Sequence, residues 1–226
     1  MAKILLAGAT GLVGGEVLAL LLADHRVSHV VAPTRRPLPA HSKLLNPIHD
    51  SRDLPSDAPW WAADGAICAI GTTRAKTPSA QAYRAIDFDY ALAVATRARR
   101  GGAARFAMVT AMGADVRSCF RYGRTKGELE AAVTALGFPS LTIIRPGFLG
   151  GVRPDAGPME RIVGRILRMA APILPMSARI SPAATVAAFL VEAAIQGGAG
   201  TSVMTSADIA CAAAYGRVSV PIAPLK

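Results

Sequence analysis

Residues that usually scaffold a small protein or ligate a metal are scarce in this chain of 226 residues. Three cysteines occur, Cys68, Cys119 and Cys211, an odd count with no CxxC pair. That argues against a disulfide framework and for a reducing compartment. The four histidines, His25, His29, His41 and His49, all lie in the first quarter of the chain. No carboxylate or thiolate completes a ligand cluster around them, so no metal site is expected. Aromatic residues are only 5% of the chain, which leaves Ala, Gly and Val to build a core of small side chains. No uncharged apolar run reaches the ~18 residues of a membrane-spanning helix; Val17 to Ala23 and Ile180 to Val191 are too short. A strand and a glycine-rich turn follow directly on Met1-Ala2-Lys3, leaving no room for a signal peptide. The expectation is a soluble, cytoplasmic protein.

Acidic residues are also few: 15 Asp and Glu stand against 25 Lys and Arg, a formal net charge of +10. Such a field favours anionic ligands, among them nucleotides, nucleic acid, acidic membranes and phosphorylated metabolites. A coding bias toward Arg and Ala would produce the same balance, so basicity alone decides nothing. Nucleic-acid binding lacks a supporting motif and interleaved aromatics and is not expected. Hydrophobic residues make up 52% and charged residues 18%, which excludes disorder as the general state.

Short apolar runs alternate with helical periodicity. Lys3 to Ala7, Val27 to Pro33, Gly65 to Ile70, Phe106 to Thr110 and Leu141 to Arg145 read as strands, buried on both faces where apolar throughout. Gly15 to Ala23, Asp87 to Arg100 and Tyr122 to Leu136 read as helices, the second closed by Gly101-Gly102. Beyond Gly151 the pattern weakens, with helices over 159–170 and 183–195 and a last strand over 200–205. The alternation predicts an α/β fold with a doubly wound parallel sheet, one domain over residues 1–226 with a small C-terminal substrate-side portion.

Gly8, Gly11 and Gly14 form GxxGxxG between the first strand and the first helix. In a Rossmann-type fold the first glycine permits the tight turn, the second admits a pyrophosphate to the backbone, and the third lets helix approach strand. Thr10, Leu12 and Val13 share this turn and belong to the same cofactor-binding set. No Asp or Glu occurs between Asp24 and Asp50, where a NAD site usually presents an acid to the ribose; Arg35 and Arg36 stand there instead. A guanidinium suits a 2′-phosphate, so NADP is the expected cofactor, with NAD less favoured. Two solvated surface arginines are the plainer alternative. Tyr122 and Lys126 are four apart and share one helix face. An ammonium beside the phenol is expected to lower its pKa toward neutrality, so that Tyr122 exchanges a proton with a carbonyl or alcohol oxygen. Lys126 would also hold the nicotinamide ribose.

With these motifs the chain resembles the atypical short-chain dehydrogenase/reductases, in the NAD(P)H-binding group similar to the Tat-interacting-protein oxidoreductases. The resemblance runs from Ala2 to about Gly151. It is carried by Gly8 to Gly14, Cys68 to Thr73, Ile86 to Tyr90, Met112 to Asp115, Tyr122 with Lys126, and Arg145-Pro146-Gly147. It implies that Asp50 and Leu54 flank the adenine, that Gly71 and Thr72 border the ribose, with Thr73 next to them in the cofactor-binding set, and that Pro146 and Gly147 border the nicotinamide. The family often carries two hydroxyl residues at the end of the central strand, where this chain has Thr110-Ala111. Thr110 is then the remaining oxyanion donor, provided that its side chain faces the site.

Two functions follow from different classes. One is an NADP-dependent oxidoreductase acting on a small carbonyl or alcohol substrate through Tyr122, Lys126 and Thr110. The other is a dinucleotide-binding regulator or assembly factor with little turnover, for which Ala111 speaks. Arg161, Arg165 and Arg168 stack along one predicted helix face. They would serve an anionic substrate, a peripheral contact with an acidic membrane, or simple solvation of a packed helix.

Overall fold

The computed structural model describes residues 1–50, 54–72, 77–150 and 180–215. Thr73 and the basic segment 161–168 lie outside these residues. The strands are Ala2–Ala7 (β1), Val27–Val31 (β2), Leu44–Leu45 (β3), Gly65–Cys68 (β4), Arg105–Val109 (β5), Ser140–Ile144 (β6), Leu149–Gly150 (β7), Ser181–Pro182 (β8) and Gly200–Met204 (β9). Seven of them form one sheet in the order β3-β2-β1-β4-β5-β6-β9, with every neighbouring pair parallel. The order reverses between β1 and β4, so the crevice beside their carboxyl ends is where such a sheet binds ligands. This is the Rossmann-type α/β fold.

Side-chain alternation explains the apolar runs. Along β1, Ile4 and Leu6 face one layer while Leu5 and Ala7 face the other, and all four are buried. The first layer packs on Leu12–Ala23 (α1) and Ala183–Gln196 (α5), through Val13, Val17, Leu21, Val186, Leu190 and Ala194. The second packs on Ala91–Arg100 (α3) and Arg121–Thr134 (α4), through Val94, Ala95, Ala98, Leu129 and Val133. Burial on both faces removes the polar half of each strand's pattern.

Small residues set the layer spacing. A Cβ on Gly65 of β4 would lie 2.4 Å from the Ala194 carbonyl oxygen of α5. Arg26 ties the same helix to the sheet edge, pairing with Asp24 at 2.7 Å and Glu192 at 2.9 Å.

Three differences from the sequence expectation have local causes. The helix expected from Asp87 begins at Ala80, because the Ser79 hydroxyl caps it by accepting the Ala82 N–H at 3.0 Å. Ala80–Arg84 (α2) runs without a break through a π turn, Ala85–Tyr90, into α3. A final helix, Ser206–Tyr215 (α6), follows β9. β7 and β8 form a separate two-stranded parallel ribbon that sets the chain after Gly147 against the start of α5. Gly65→Ala is expected to push α5 off β4 and to cost about 1–3 kcal/mol. Thermal unfolding would show this as a Tm several degrees lower, with dinucleotide affinity unchanged.

Candidate active site

The glycine turn is a backbone cradle. Gly8 has φ +92, and a Cβ there would sit 2.7 Å from the Ala69 carbonyl carbon; one on Gly14 would lie 1.9 Å from the Gly8 oxygen. Side chains at either position would separate β1, α1 and the exit of β4. Gly11 caps α1 without a side-chain hydrogen bond to the first turn. The first N–H groups of α1, including those of Leu12, Val13 and Gly14, therefore lack a side-chain acceptor at an end that favours anions. Val13 itself is buried and Leu12 packs against the core, so their contribution to a ligand is through the backbone. Thr10 and Gly11 are exposed at the rim. This set fits a pyrophosphate.

Arg35 and Arg36 emerge, exposed, just beyond β2. Asn46 braces the loop that carries them, donating to the Ala32 carbonyl at 2.6 Å and to the Thr34 hydroxyl at 2.8 Å. Thr34 in turn donates to the Arg36 carbonyl at 2.7 Å. Asp50 is exposed on the segment after β3, next to His49, which stacks on Trp60 with ring centroids 6.4 Å apart. Leu54 is buried in the second core layer.

Tyr122 lies in the first turn of α4 and is 46% exposed, whereas Lys126 one turn later is 2% exposed. The Lys126 Nζ meets Asp87 Oδ1 at 2.6 Å, and Asp87, in the π turn, is fully buried. The other Asp87 oxygen accepts the Thr72 N–H at 2.9 Å. A Cβ on Gly71 would come within 3.9 Å of the same carboxylate. One carboxylate thus joins the exit of β4, the α2–α3 helix and α4. Tyr83 closes the group, with its ring centroid 6.1 Å from that of Tyr122. Its buried hydroxyl faces Asp87 and, among the described residues, makes no hydrogen bond of good geometry.

These contacts reverse one expectation. Burial raises the pKa of the Tyr122 phenol; Lys126 opposes that and Asp87 adds to it, and the net direction is upward rather than toward neutrality. The ammonium is already neutralised by the carboxylate beside it. Tyr83 is pushed up as well, chiefly by burial. Cys68, at the end of β4, is raised to about 11 by burial.

Thr110 is 5% exposed, and its hydroxyl donates to Glu130 of α4. Glu130 also pairs with the Arg145 guanidinium. Thr110 is therefore turned toward a buried ion pair, and its proton is committed there instead of to a substrate oxygen. Ala111 is buried and Met112 donates its N–H to the Pro146 carbonyl at 2.9 Å. The Gly147 N–H reaches the Ser181 hydroxyl at 3.2 Å, so Pro146 and Gly147 are held at the same sheet edge as Tyr122. The sequence reading passed over Asp87, Tyr83 and Glu130. An acid between the apolar Ile86 and Phe88 on a helix was the available signal for Asp87. Among the described residues no cluster of His, Cys, Asp and Glu could hold a metal, and no helix is long and apolar enough to cross a membrane.

No protein-family model matches the chain. "Protein fmp52, mitochondrial" of Emericella nidulans is 34% identical over 171 residues, which span 72% of this chain and 73% of that protein. "Protein FMP52, mitochondrial" of Candida albicans is 33% identical over 158 residues, 66% and 68% of the two chains. These names overturn the cytoplasmic expectation. They carry no mention of the Tat-interacting-protein group. Among solved structures, MoeE5 in complex with UDP-glucose and NAD superposes with a TM-score of 0.67 at 19% identity, over 89% of this chain and 75% of that one. UDP-glucuronic acid 4-epimerase from Bacillus cereus in complex with NAD gives 0.66 at 15% identity, over 90% and 78%. This likeness is one of fold, that of the NAD-binding short-chain dehydrogenase/reductase and epimerase enzymes. Thr110→Val should leave Glu130 short of a donor and cost about 1.5–3 kcal/mol. Thermal melts would read this as a lowered Tm, and titration with dinucleotide as an unchanged affinity.

Proposed function

The chain belongs to the Fmp52 family, and on that premise and the geometry at the sheet edge we propose that it is an NADP-dependent oxidoreductase of mitochondria acting on a carbonyl or alcohol. The observation that carries the proposal is the Lys126 ammonium, held in the sheet edge by Asp87, one turn from the half-exposed Tyr122 phenol. When bound, the cofactor supplies or accepts a hydride at its nicotinamide. The N–H groups of the Gly8–Gly14 turn and of the α1 N-terminus hold the pyrophosphate. Arg35 and Arg36 hold the 2′-phosphate, and Asp50 flanks the adenine. Gly71 and Thr72 would border the ribose, and Pro146 and Gly147 the nicotinamide. In reduction, the carbonyl carbon gains the hydride and the carbonyl oxygen takes the Tyr122 proton, which solvent restores. Lys126 orients the ribose. Thr110 acts through Glu130 as a positioning residue, because its hydroxyl donates its hydrogen bond to that carboxylate.

One observation favours the competing view of a dinucleotide-binding regulator with little turnover: Ala111 offers no hydroxyl and that of Thr110 is occupied. The two are separated by assay. NADPH is expected to bind more tightly than NADH, and replacing Arg35 and Arg36 together by Ala is expected to remove about 1.5–3 kcal/mol of that preference. Calorimetry giving equal affinities in the unmodified protein would refute the assignment of the arginines. Tyr122→Phe keeps the ring and removes the acid, so kcat for an accepted aldehyde, ketone or quinone should fall about 10²–10⁴-fold with dinucleotide affinity retained. Stoichiometric NADPH binding without reduction of any carbonyl in the panel favours the regulator.

A further inference from the structure

Asp87 is the most deeply buried charged residue of the site. A carboxylate with no exposure requires a compensating charge, and Lys126 supplies it at 2.6 Å. Asp87 stands in a helical segment with π geometry, Ala85–Tyr90, a device that recurs where a helix must aim a side chain out of phase with its packing stripe. Among the described residues, the groups facing it come from several elements. Tyr83 comes from α2, Cys68 from the end of β4, Tyr122 and Lys126 from α4, and the Thr72 N–H from the β4 exit. Among these charged and titratable groups, Lys126 is the one cation, and it is already paired.

We propose that Asp87 is a positioning residue that controls the protonation of Tyr122, by occupying the Lys126 ammonium that would otherwise stabilise a Tyr122 phenolate. Ionising Tyr122 in the native site gathers two anions around one cation. With Asp87 neutral, the phenolate would be the ammonium's own counter-charge, and ionisation would be easier. The carboxylate therefore keeps Tyr122 in its phenol form through neutral and mildly alkaline pH. A phenol is a proton donor, so the site is set for carbonyl reduction rather than alcohol oxidation. In that step the substrate carbonyl carbon accepts a hydride, its oxygen accepts the phenol proton, and the reduced dinucleotide is the two-electron donor. This direction of reaction rests on the oxidoreductase reading above; the control of Tyr122 by Asp87 does not.

The test is a titration that needs neither cofactor nor substrate. Tyrosinate absorbance is followed against pH in the full chain, and the curve of the matching Tyr122→Phe variant is subtracted to isolate Tyr122. The native protein should titrate above the ordinary phenol value. Asp87→Asn should bring the midpoint down by about one to three pH units, as expected for an opposite charge freed within a few ångströms. Asp87→Glu, which keeps the charge, should restore the high midpoint. An Asp87→Asn midpoint equal to the native one would overturn the proposal. If Asp87→Asn does not fold, Asp87→Ser, neutral and still able to accept the Thr72 N–H, takes its place with Lys126 kept. Its Tyr122 must titrate below that of the native protein; coincident curves would again overturn the proposal. Turnover forms the separate arm. A downward shift of the titration with no reductase activity in any variant sustains the electrostatic control and refutes the enzyme, whereas activity with an unmoved titration does the reverse.

Discussion

The buried contact between Asp87 and Lys126 is the constraint on which the site depends. A charge removed from water must keep its partner, and breaking such a pair from one side typically costs about 3–5 kcal/mol. Because Asp87 also accepts the Thr72 N–H, the cost couples three elements: α4, the α2–α3 helix and the exit of β4. The turn after β1 joins the same frame through the close approach of Gly8 to Ala69. A second, partly buried pair, Glu130 with Arg145, lies one turn further along α4 and draws in Thr110. Tyr122 is left as the half-exposed end of a helix whose inner face is pinned twice.

The same frame gives a meaning to the low aromatic content. Close passage of backbones recurs at Gly14 against Gly8, Gly65 against Ala194, Gly101 against Trp61 and Gly127 against Asp115. Each leaves no space for a side chain. A sheet covered by helices at such short range has little volume to fill with rings, and Ala and Val suffice. Several of the rings that do occur gather in clusters. Phe106 stacks on Phe138 at 4.7 Å in the second layer, and His49, Trp60, Trp61 and Tyr90 cluster beside the segment that follows β3.

Much of the fold was legible because parallel strands buried on both sides write themselves as unbroken apolar runs, such as Ile4 to Ala7 and Phe106 to Val109. The glycine turn was legible because a steric need leaves the same residue at fixed offsets. What stayed hidden depends on pairing across space. Asp87 and Lys126 are 39 positions apart, and no local period links them. The start of α2 was missed because the Ser79 cap precedes a segment, Ala80 to Arg84, with little apolar periodicity. For Thr110 the residue type was read correctly, but its facing was not, since Glu130 sits twenty residues further on. The Tyr122 expectation failed for a related reason: the ammonium was visible in the sequence, and the carboxylate that cancels it was not.

The π turn between Ala85 and Tyr90 imposes a limit on chain length at one point. Each residue in an α-helix advances the azimuth by about 100°. Ala91, Val94, Ala95 and Ala98 of α3 face the sheet, while Asp87 faces Lys126. Removing one residue from the turn would rotate these two sets against each other by about that angle. The chain could then seat the stripe on the sheet or the carboxylate on the ammonium, but not both. In this family a length change within the segment is therefore a different kind of event from one in a surface loop, because it separates folding from the chemistry of the site.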